Sequence, residues 1–198
     1  FVLIRENTEG LFASRGACEM VGDEEARDTM VITRKGTERL SDFAFRLAER
    51  RKAQGRGRGH VTCVDKANVF GSFAFMRKVF YERAARFPEL TADHAYVDAT
   101  ALALVRNPWV FDVMITENMF GDILSDQAAA LMGGMGMAPS ADIGDSHGLF
   151  QPCHGTAPDI MGTGKANPSA MLLSGAMMLD WLGETVSSPE LAEAGETF

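Results

Sequence analysis

Two carboxylates with the spacing of a metal site lie in one helical pattern of the chain. Asp122 and Asp126 are four residues apart, so their side chains face the same way, one helical turn apart. Like charges so placed repel each other, and Mg²⁺ or Mn²⁺, which select oxygen ligands, would reverse that repulsion. The alternative interpretation is a solvated helix face. It is weakened by the small apolar neighbours Ile123, Leu124 and 128–130.

Three more side chains suited to chemistry lie at the ends of apolar runs. Asp98 supplies a third carboxylate. Lys66 can act as an acid or a base if burial and a neighbouring cation lower the pKa of its ammonium group. Arg5 can bind a substrate carboxylate through the planar fork of its guanidinium group. An exposed structural lysine and a surface ion pair are the respective alternatives for Lys66 and Arg5.

The elements that must position these residues alternate along the chain, because apolar runs predict strands and apolar residues at helical spacing predict helices. The strand patterns cover 1–5, 29–33, 60–64, a run ending at 96–98, and 111–116. The helical patterns cover 40–52, 73–87, 99–106, 119–131 and 169–182. This alternation predicts an α/β protein in which Lys66, Asp98 and 117–118 lie at strand ends, where ligand groups gather.

The second part of the sequence is rich in glycine, which predicts a boundary near residue 132, with one domain over 1–132 and another over 133–198. No G-x-G-x-x-G is present, and 162–165 lacks the first glycine and the Ser or Thr of a phosphate loop. Neither a Rossmann site nor a P-loop is therefore predicted. In a tight loop, however, Asp159 can accept hydrogen bonds from ribose hydroxyls while His154 lies against an adenine ring.

The composition argues against several classes of protein. The 198 residues carry 19 Lys and Arg against 27 Asp and Glu, a net charge of −8, which argues against binding of nucleic acid or an anionic membrane. Three cysteines without metal-type spacing favour a reducing cytoplasm. No uncharged apolar run approaches the ~20 residues of a membrane span. Because the chain opens on the strand-like run 1–4 without an initiator Met, we expect it to be a piece of something longer.

A series of motifs resembles the isocitrate/isopropylmalate dehydrogenase family, the metal-dependent β-decarboxylating dehydrogenases that include homoisocitrate and tartrate dehydrogenases. Order and spacing agree from residue 1 to about residue 183, and the segment beyond matches poorly. The motifs are RENTEG at 5–10, VDKANV at 64–69, YVD at 96–98, NMFGDILSD at 118–126, HGTAPDI at 154–160 and ANP at 166–168. The resemblance implies that family's two-domain α/β fold, with a nucleotide site unlike the Rossmann type, present here as a partial copy.

The resemblance also implies an activity and an assembly. The expected enzyme is a cytoplasmic homodimer that oxidises a 2-hydroxy dicarboxylic or tricarboxylic acid with NAD and Mg²⁺ or Mn²⁺, usually with β-decarboxylation. The substrate would be of the isopropylmalate, isocitrate, homoisocitrate or tartrate type, with a lean away from isopropylmalate. Residues 1–132 would form the smaller domain, which binds substrate and metal and dimerises. Residues 133–198 would form the C-terminal part of the nucleotide-binding domain.

Individual residues take roles by the same resemblance. Arg5 would bind a substrate carboxylate, and Asn68 would contact the substrate or the nicotinamide. Lys66 would assist removal of the hydroxyl proton, and Asp98 would join Asp122 and Asp126 around the metal; both Lys66 and Asp98 would come from the second subunit. The adenosine site would be lined by His154, Gly155, Thr156, Ala157, Asp159 and Asn167. The acid at position 159 favours NAD, because it would repel a 2′-phosphate.

One departure from the family pattern concerns the chemistry. Phe12 stands where the family usually places a Tyr that protonates the enolate, and a phenyl ring has no proton to donate. Either water or another group takes over, or simple oxidation is favoured. A non-catalytic, dimerising regulatory subunit or a degenerate fragment is the alternative to an enzyme. A metal-dependent hydrolase lacks a nucleophile here and leaves 154–159 unexplained.

Overall fold

The computed structural model describes residues 1–197, which divide into two compact units, the first Phe1–Gln127 and the second beginning at Ala128. The strands are β1 (Val2–Arg5), β2 (Glu19–Val21), β3 (Glu25–Arg27), β4 (His60–Asp65), β5 (Thr91–Tyr96), β6 (Val113–Thr116), β7 (Pro139–Ile143) and β8 (Gly148–Pro152). The helices are α1 (Arg34–Ala53), α2 (Gly71–Ala84), α3 (Val97–Arg106), α4 (Asn118–Leu131), α5 (Ser169–Thr185) and α6 (Pro189–Thr197).

The first unit is built on a parallel sheet of strand order β1-β6-β4-β5. Its central strands β4 and β6 are buried, which accounts for their continuous apolar runs, because strands of a parallel sheet are covered on both faces. The two-residue alternation of a strand sends Val113 and Ile115 to one face and Met114 to the other. The α/β fold with a parallel sheet is thus confirmed.

Helices pack on both faces of this sheet. On one face, Phe45 of α1 stacks against Phe80 of α2 and against Phe87, with ring centroids 5.3 and 5.1 Å apart. On the other face, Leu104 of α3 and Leu124 of α4 are buried against β4 and β6. This arrangement places the first residues of α3 and α4 directly after the carboxyl ends of β5 and β6.

The second unit contains an antiparallel hairpin, β7–β8, and the helices α5 and α6. The backbone N–H of Ser140 in β7 donates to Ser174 Oγ of α5 at 3.3 Å, and the rings of Phe150 and Trp181 lie 5.8 Å apart. The hairpin β7–β8 and helix α5 thus pack against each other as two layers. No helix among residues 1–197 has the length and apolarity needed to cross a lipid bilayer.

Four predicted helices are confirmed with shifts of up to three residues at their ends, whereas α1 begins at Arg34 and not near residue 40, and α6 was not predicted. One predicted strand is wrong. Within 29–33, Val31 forms only an isolated bridge with Gly10. Thr33 instead begins α1 as its N-cap, with its side-chain oxygen accepting from the Gly36 N–H at 3.0 Å. The chain between Val31 and α1 is therefore too short to form a strand.

Candidate functional site

The candidate site lies at the carboxyl edge of the parallel sheet. Parallel strands end at the same edge, and here Arg5 ends β1, Lys66 follows β4, Asp98 follows β5 and 117–118 follow β6. This is the place where α/β sheets gather their ligand groups. The sequence prediction that these polar residues lie at strand ends is confirmed.

A first cluster joins β1 to the first turns of α4. Arg5 Nη1 donates to Asp122 Oδ1 at 2.6 Å, and Arg5 Nε donates to Asn118 Oδ1 at 3.0 Å. The guanidinium carbon also lies 5.6 Å from the centre of the Phe12 ring. Arg5 reaches these partners across Gly121, where a Cβ would lie 2.5 Å from Arg5 Cγ. The cluster therefore holds a partly exposed guanidinium beside the Asp122 carboxylate, with Asp126 one turn further along α4.

A second cluster joins β4 to α3. Lys66 Nζ donates to Asp98 Oδ1 at 2.6 Å, and this hydrogen bond lowers the pKa of Asp98 below its usual value. Lys66 Nζ also lies 5.9 Å from the centre of the Tyr96 ring. Asp98 is largely exposed, whereas Lys66 is mostly covered. The pair presents a lysine and a carboxylate side by side, with the carboxylate open to a ligand from outside the chain.

A buried ion pair supports the turn that carries Lys66. Asp65, fully buried at the end of β4, accepts from Arg77 Nε at 2.8 Å and Nη2 at 2.6 Å, and from the Ala67 N–H at 2.8 Å. The hydrogen bond to Asp65 raises the pKa of Arg77. The Arg77 guanidinium lies 5.3 Å from the centre of the Tyr96 ring. Arg77 and Asp65 were not singled out from sequence, because an isolated arginine on a helix has the pattern of a solvated residue.

The loop after β1 is fixed by carboxylates that point inward. Glu6 accepts from Arg39 Nη2 at 3.0 Å and from the Thr8 N–H at 2.7 Å. Glu9 accepts from the Thr33 N–H at 2.8 Å and from Thr33 Oγ1 at 2.7 Å. The acidic residues of the motif at 5–10 therefore tie the loop to α1, and in sequence they resemble an ordinary solvated loop.

Arg5 and Asp98, the outer members of the two clusters, lie at opposite edges of the sheet within one chain. Arg5 lies on one edge strand of the sheet and Asp98 follows the other, three strand spacings or about 14 Å away at roughly 4.8 Å each. Among residues 1–197, no three His, Cys, Asp or Glu side chains are grouped so that they could hold a metal ion. The chain thus brings Arg5 to Asp122 and Lys66 to Asp98, but leaves Asp98 away from the aspartates of α4.

The donor set nevertheless fits a hard divalent cation. Asp122 Oδ1 already receives a cationic group, the Arg5 guanidinium, and its side chain is about half exposed. Two carboxylates one turn apart on a helix supply part of the oxygen coordination that Mg²⁺ takes, with the rest coming from water or substrate. Asn68 lies in the turn between β4 and α2, two residues after Lys66.

The predicted adenosine residues lie in a loop of the second unit. Ala157 adopts a left-handed backbone conformation with φ 44°, which a residue with a side chain rarely adopts. It precedes a short 3-10 turn, Pro158–Ile160, that presents Asp159 to solvent. Asn167 Oδ1 accepts from the Ser169 N–H at 3.0 Å at the start of α5. Backbone strain of this kind is common at ligand sites, and the exposed carboxylate of Asp159 has the chemistry to accept hydrogen bonds from ribose hydroxyl groups.

Comparison with known proteins gives a family and several relatives. The family model described as isocitrate/isopropylmalate dehydrogenase matches residues 1–196. The 3-isopropylmalate/3-methylmalate dehydrogenase of Methanocaldococcus jannaschii is 46% identical over 99% of this chain and 58% of its own length. The homoisocitrate dehydrogenase of the same organism is 47% identical over 98% of this chain and 53% of its own length.

A solved structure shows the same fold. The crystal structure of isocitrate dehydrogenase from Methylococcus capsulatus superimposes with a TM-score of 0.83 and 42% identity, over 96% of this chain and 55% of that one. The chain therefore spans about half the length of the relatives that it matches. The expectation that the resemblance ends near residue 183 is wrong, since the family model extends to residue 196 and α6 packs against α5.

Proposed function

Because the chain belongs to the isocitrate/isopropylmalate dehydrogenase family, we propose that it forms part of an enzyme that oxidises a 2-hydroxy dicarboxylic or tricarboxylic acid. The reaction removes a hydride from the carbinol carbon and a proton from its hydroxyl group, usually followed by loss of the β-carboxylate as CO₂. The relatives named above act on different acids of this type, so the proposal names the substrate class and not one acid.

The first cluster would bind the substrate. Arg5 offers a guanidinium group that Asn118 and Asp122 hold at the sheet edge, and a planar donor fork suits a carboxylate. Binding of the substrate carboxylate there would exchange one carboxylate partner of Arg5 for another, while Asp122 turns to a cation beside Asp126. Arg5 therefore acts as the anchor that orients the acid.

The second cluster would move the proton. Lys66 Nζ would take up the proton of the substrate hydroxyl group, and Asp98 lies within hydrogen-bond distance of the same nitrogen. Asp65 and Arg77 fix the backbone turn from which Lys66 projects. Asn68, two residues further on, would contact the substrate or the nicotinamide.

The cofactors complete the chemistry. Mg²⁺ or Mn²⁺ held by Asp122, Asp126 and a partner's Asp98 would act as a Lewis acid, and NAD at His154–Ala157, Asp159 and Asn167 would accept the hydride. Residues 1–132 would serve as the substrate, metal and dimerisation domain, and 133–198 as the C-terminal part of the nucleotide domain. A second copy of the chain would supply Asp98 to the metal, because Arg5 and Asp98 lie at opposite edge strands of the sheet within each chain. We place this homodimer in the cytoplasm.

The observation that carries the proposal is the meeting of Arg5 with Asp122 and of Lys66 with Asp98 at one sheet edge in a chain of this family. The test is NADH formation by the whole protein with Mn²⁺ or Mg²⁺ and isocitrate, isopropylmalate, homoisocitrate, tartrate or malate. We expect absorbance at 340 nm to rise with at least one acid and not without metal. Absence of NADH with every acid would contradict the proposal.

A second candidate, a non-catalytic subunit of the same family, is favoured by Phe12 alone. Metal titration separates the two, because a catalytic chain should bind Mn²⁺ and lose that binding in Asp122→Asn. A regulatory subunit would show no such dependence on Asp122.

A further inference from the structure

Glu117 is a buried carboxylate to which the substrate and metal chemistry assigns no part. It follows β6 and is only 2% exposed. Its Oε1 accepts from the Leu11 N–H at 2.9 Å, and its Oε2 accepts from the Met119 N–H at 3.1 Å and the Phe120 N–H at 3.3 Å. One carboxylate therefore caps the N-terminus of α4 and also holds the loop after β1.

The loop after β1 packs its backbone directly against the Glu117 carboxylate. Gly10 has φ 86°, and a Cβ there would lie 2.1 Å from Glu117 Oε1. The adjoining residue Asn118 adds two more links, since its Nδ2 donates to the Glu9 carbonyl at 3.0 Å and its Oδ1 accepts from Arg5. The end of β1, the loop that carries Phe12 and the first turn of α4 are thus joined through 117–118.

We propose that Glu117 is a positioning residue that holds the loop Gly10–Phe12 and the first turn of α4 as one unit, so that Arg5 and Asp122 keep their substrate-binding geometry. The inference rests on the proposed function. Glu117 touches backbone N–H groups and no reacting atom, and it acts through Leu11 on one side and through α4 on the other. Loss of one acceptor oxygen would release one of these two segments.

Asp112 provides a matched control at the other end of the same strand. It precedes β6, is 3% exposed, and accepts backbone hydrogen bonds from Arg58, Gly59 and His60 at 2.6, 2.9 and 3.4 Å. Asp112→Asn and Glu117→Gln each replace a buried carboxylate that accepts three backbone hydrogen bonds, one away from the site and one beside it; Asp112 also accepts from Arg51 Nε at 3.2 Å. A purely structural carboxylate predicts the same behaviour for both variants.

The test uses the whole protein. We expect both variants to lower the melting temperature, but only Glu117→Gln to raise KM for the hydroxy acid, by roughly 10-fold, since a displacement of about 1 Å at a site costs up to about 100-fold. Hydrogen exchange by mass spectrometry should be faster across 6–14 in Glu117→Gln and unchanged there in Asp112→Asn. Equal KM and equal exchange in the two variants would overturn the inference.

A second variant applies if Glu117→Gln does not fold. Leu11→Pro keeps Glu117 and removes the N–H that Glu117 Oε1 accepts, at the first position of a helical turn, where proline is tolerated. A raised KM and faster exchange at 6–14 support the positioning role, and wild-type values overturn it. If the wild-type protein oxidises none of the acids, the proposed function fails, and the exchange comparison still decides the role of Glu117.

Discussion

At the scale of single residues, the geometry of the first cluster depends on how closely the Arg5 side chain packs against the backbone of α4. Arg5 passes over Gly121, where the absence of a Cβ leaves room for the aliphatic part of the arginine. The guanidinium then meets both Asn118 and Asp122. A glycine in the first turns of a helix lowers helix stability, so its presence in α4 is explained by the passage of Arg5.

Gly121→Ala separates stability from substrate binding. Helix propensity favours Ala over Gly by roughly 1 kcal/mol, but the new Cβ displaces Arg5 from Asp122. We expect a melting temperature at or near that of the wild type and a KM for the hydroxy acid raised roughly 10-fold. Gly71→Ala, at the start of α2 where a Cβ meets no atom within 4 Å, is the control and should leave KM unchanged. An unchanged KM in Gly121→Ala would contradict the role given to Arg5.

Asp112 makes stability depend on pH in a predictable direction. Burial by itself raises the pKa of Asp112, yet the N–H groups of Arg58 and His60 and the Arg51 guanidinium outweigh burial, so the pKa lies below the usual 3.8. The stabilisation is present above about pH 4 and is lost as pH falls through the lowered pKa. Asp112→Asn should therefore reduce the free energy of unfolding by about 1–3 kcal/mol at pH 7 and by less at pH 3.

Urea unfolding of the wild type and Asp112→Asn at several pH values measures this difference. Asp142→Asn, a substitution outside the first unit, serves as the comparison. A difference for Asp112→Asn that grows toward low pH would show that the sign is wrong.

Phe12 bears on how much CO₂ is released for each NADH formed. Its ring lies beside the Arg5 guanidinium and is partly exposed, so it would border a substrate carboxylate bound to Arg5. We expect Phe12→Tyr to add a proton donor there and to raise the ratio of CO₂ released to NADH formed. Phe12→Leu, which adds no donor, should not raise it. Equal ratios in Phe12→Tyr and the wild type would mean that another group protonates the product.

At the scale of elements, the strands and helices that can be predicted from the sequence are those whose apolar residues repeat at regular spacing. The apolar runs of β4 and β6 and the stripes of α1, α2 and α4 are repeated over whole elements, and these segments were located correctly. The hairpin β2–β3 was missed because its strands have three residues each, and β7–β8 was missed because it lies in the glycine-rich part of the chain, which is typical of loops. The roles of Glu6, Glu9 and Glu117 could not be predicted from the sequence, because their hydrogen-bond partners include residues far away along the chain.

The start of α1 is the element whose capping links it to the site loop. Thr33 caps the helix through Gly36, and its own N–H and hydroxyl donate to Glu9. Thr33→Ala should lower the free energy of unfolding by about 1 kcal/mol, while Thr33→Ser, which keeps the oxygen, should cost much less. Chemical denaturation of both variants measures the two effects. Equal losses would assign the effect to the Thr33 methyl group and not to the cap.

At the scale of the whole molecule, the proposed site requires two copies of the chain. The strand order puts Arg5 and Asp98 at opposite edges of the sheet, and no three His, Cys, Asp or Glu side chains among residues 1–197 are grouped to hold a metal ion, so Asp98 of a second copy would complete the metal site. Each chain thus carries two half-sites, and a complete site would combine the first cluster of one protomer with the second cluster of its partner. Symmetric dimers allow such sharing twice, once at each of two equivalent sites.

Subunit complementation tests this claim most directly. Lys66→Met and Asp122→Asn, each in the whole protein, should be inactive alone, because every site lacks one essential group. When the two are unfolded together and refolded, half of the dimers are hybrids with one intact site, so we predict about a quarter of the wild-type rate of NADH formation. Hybrid dimers that are detected by native mass spectrometry but form no NADH would contradict a site shared between subunits.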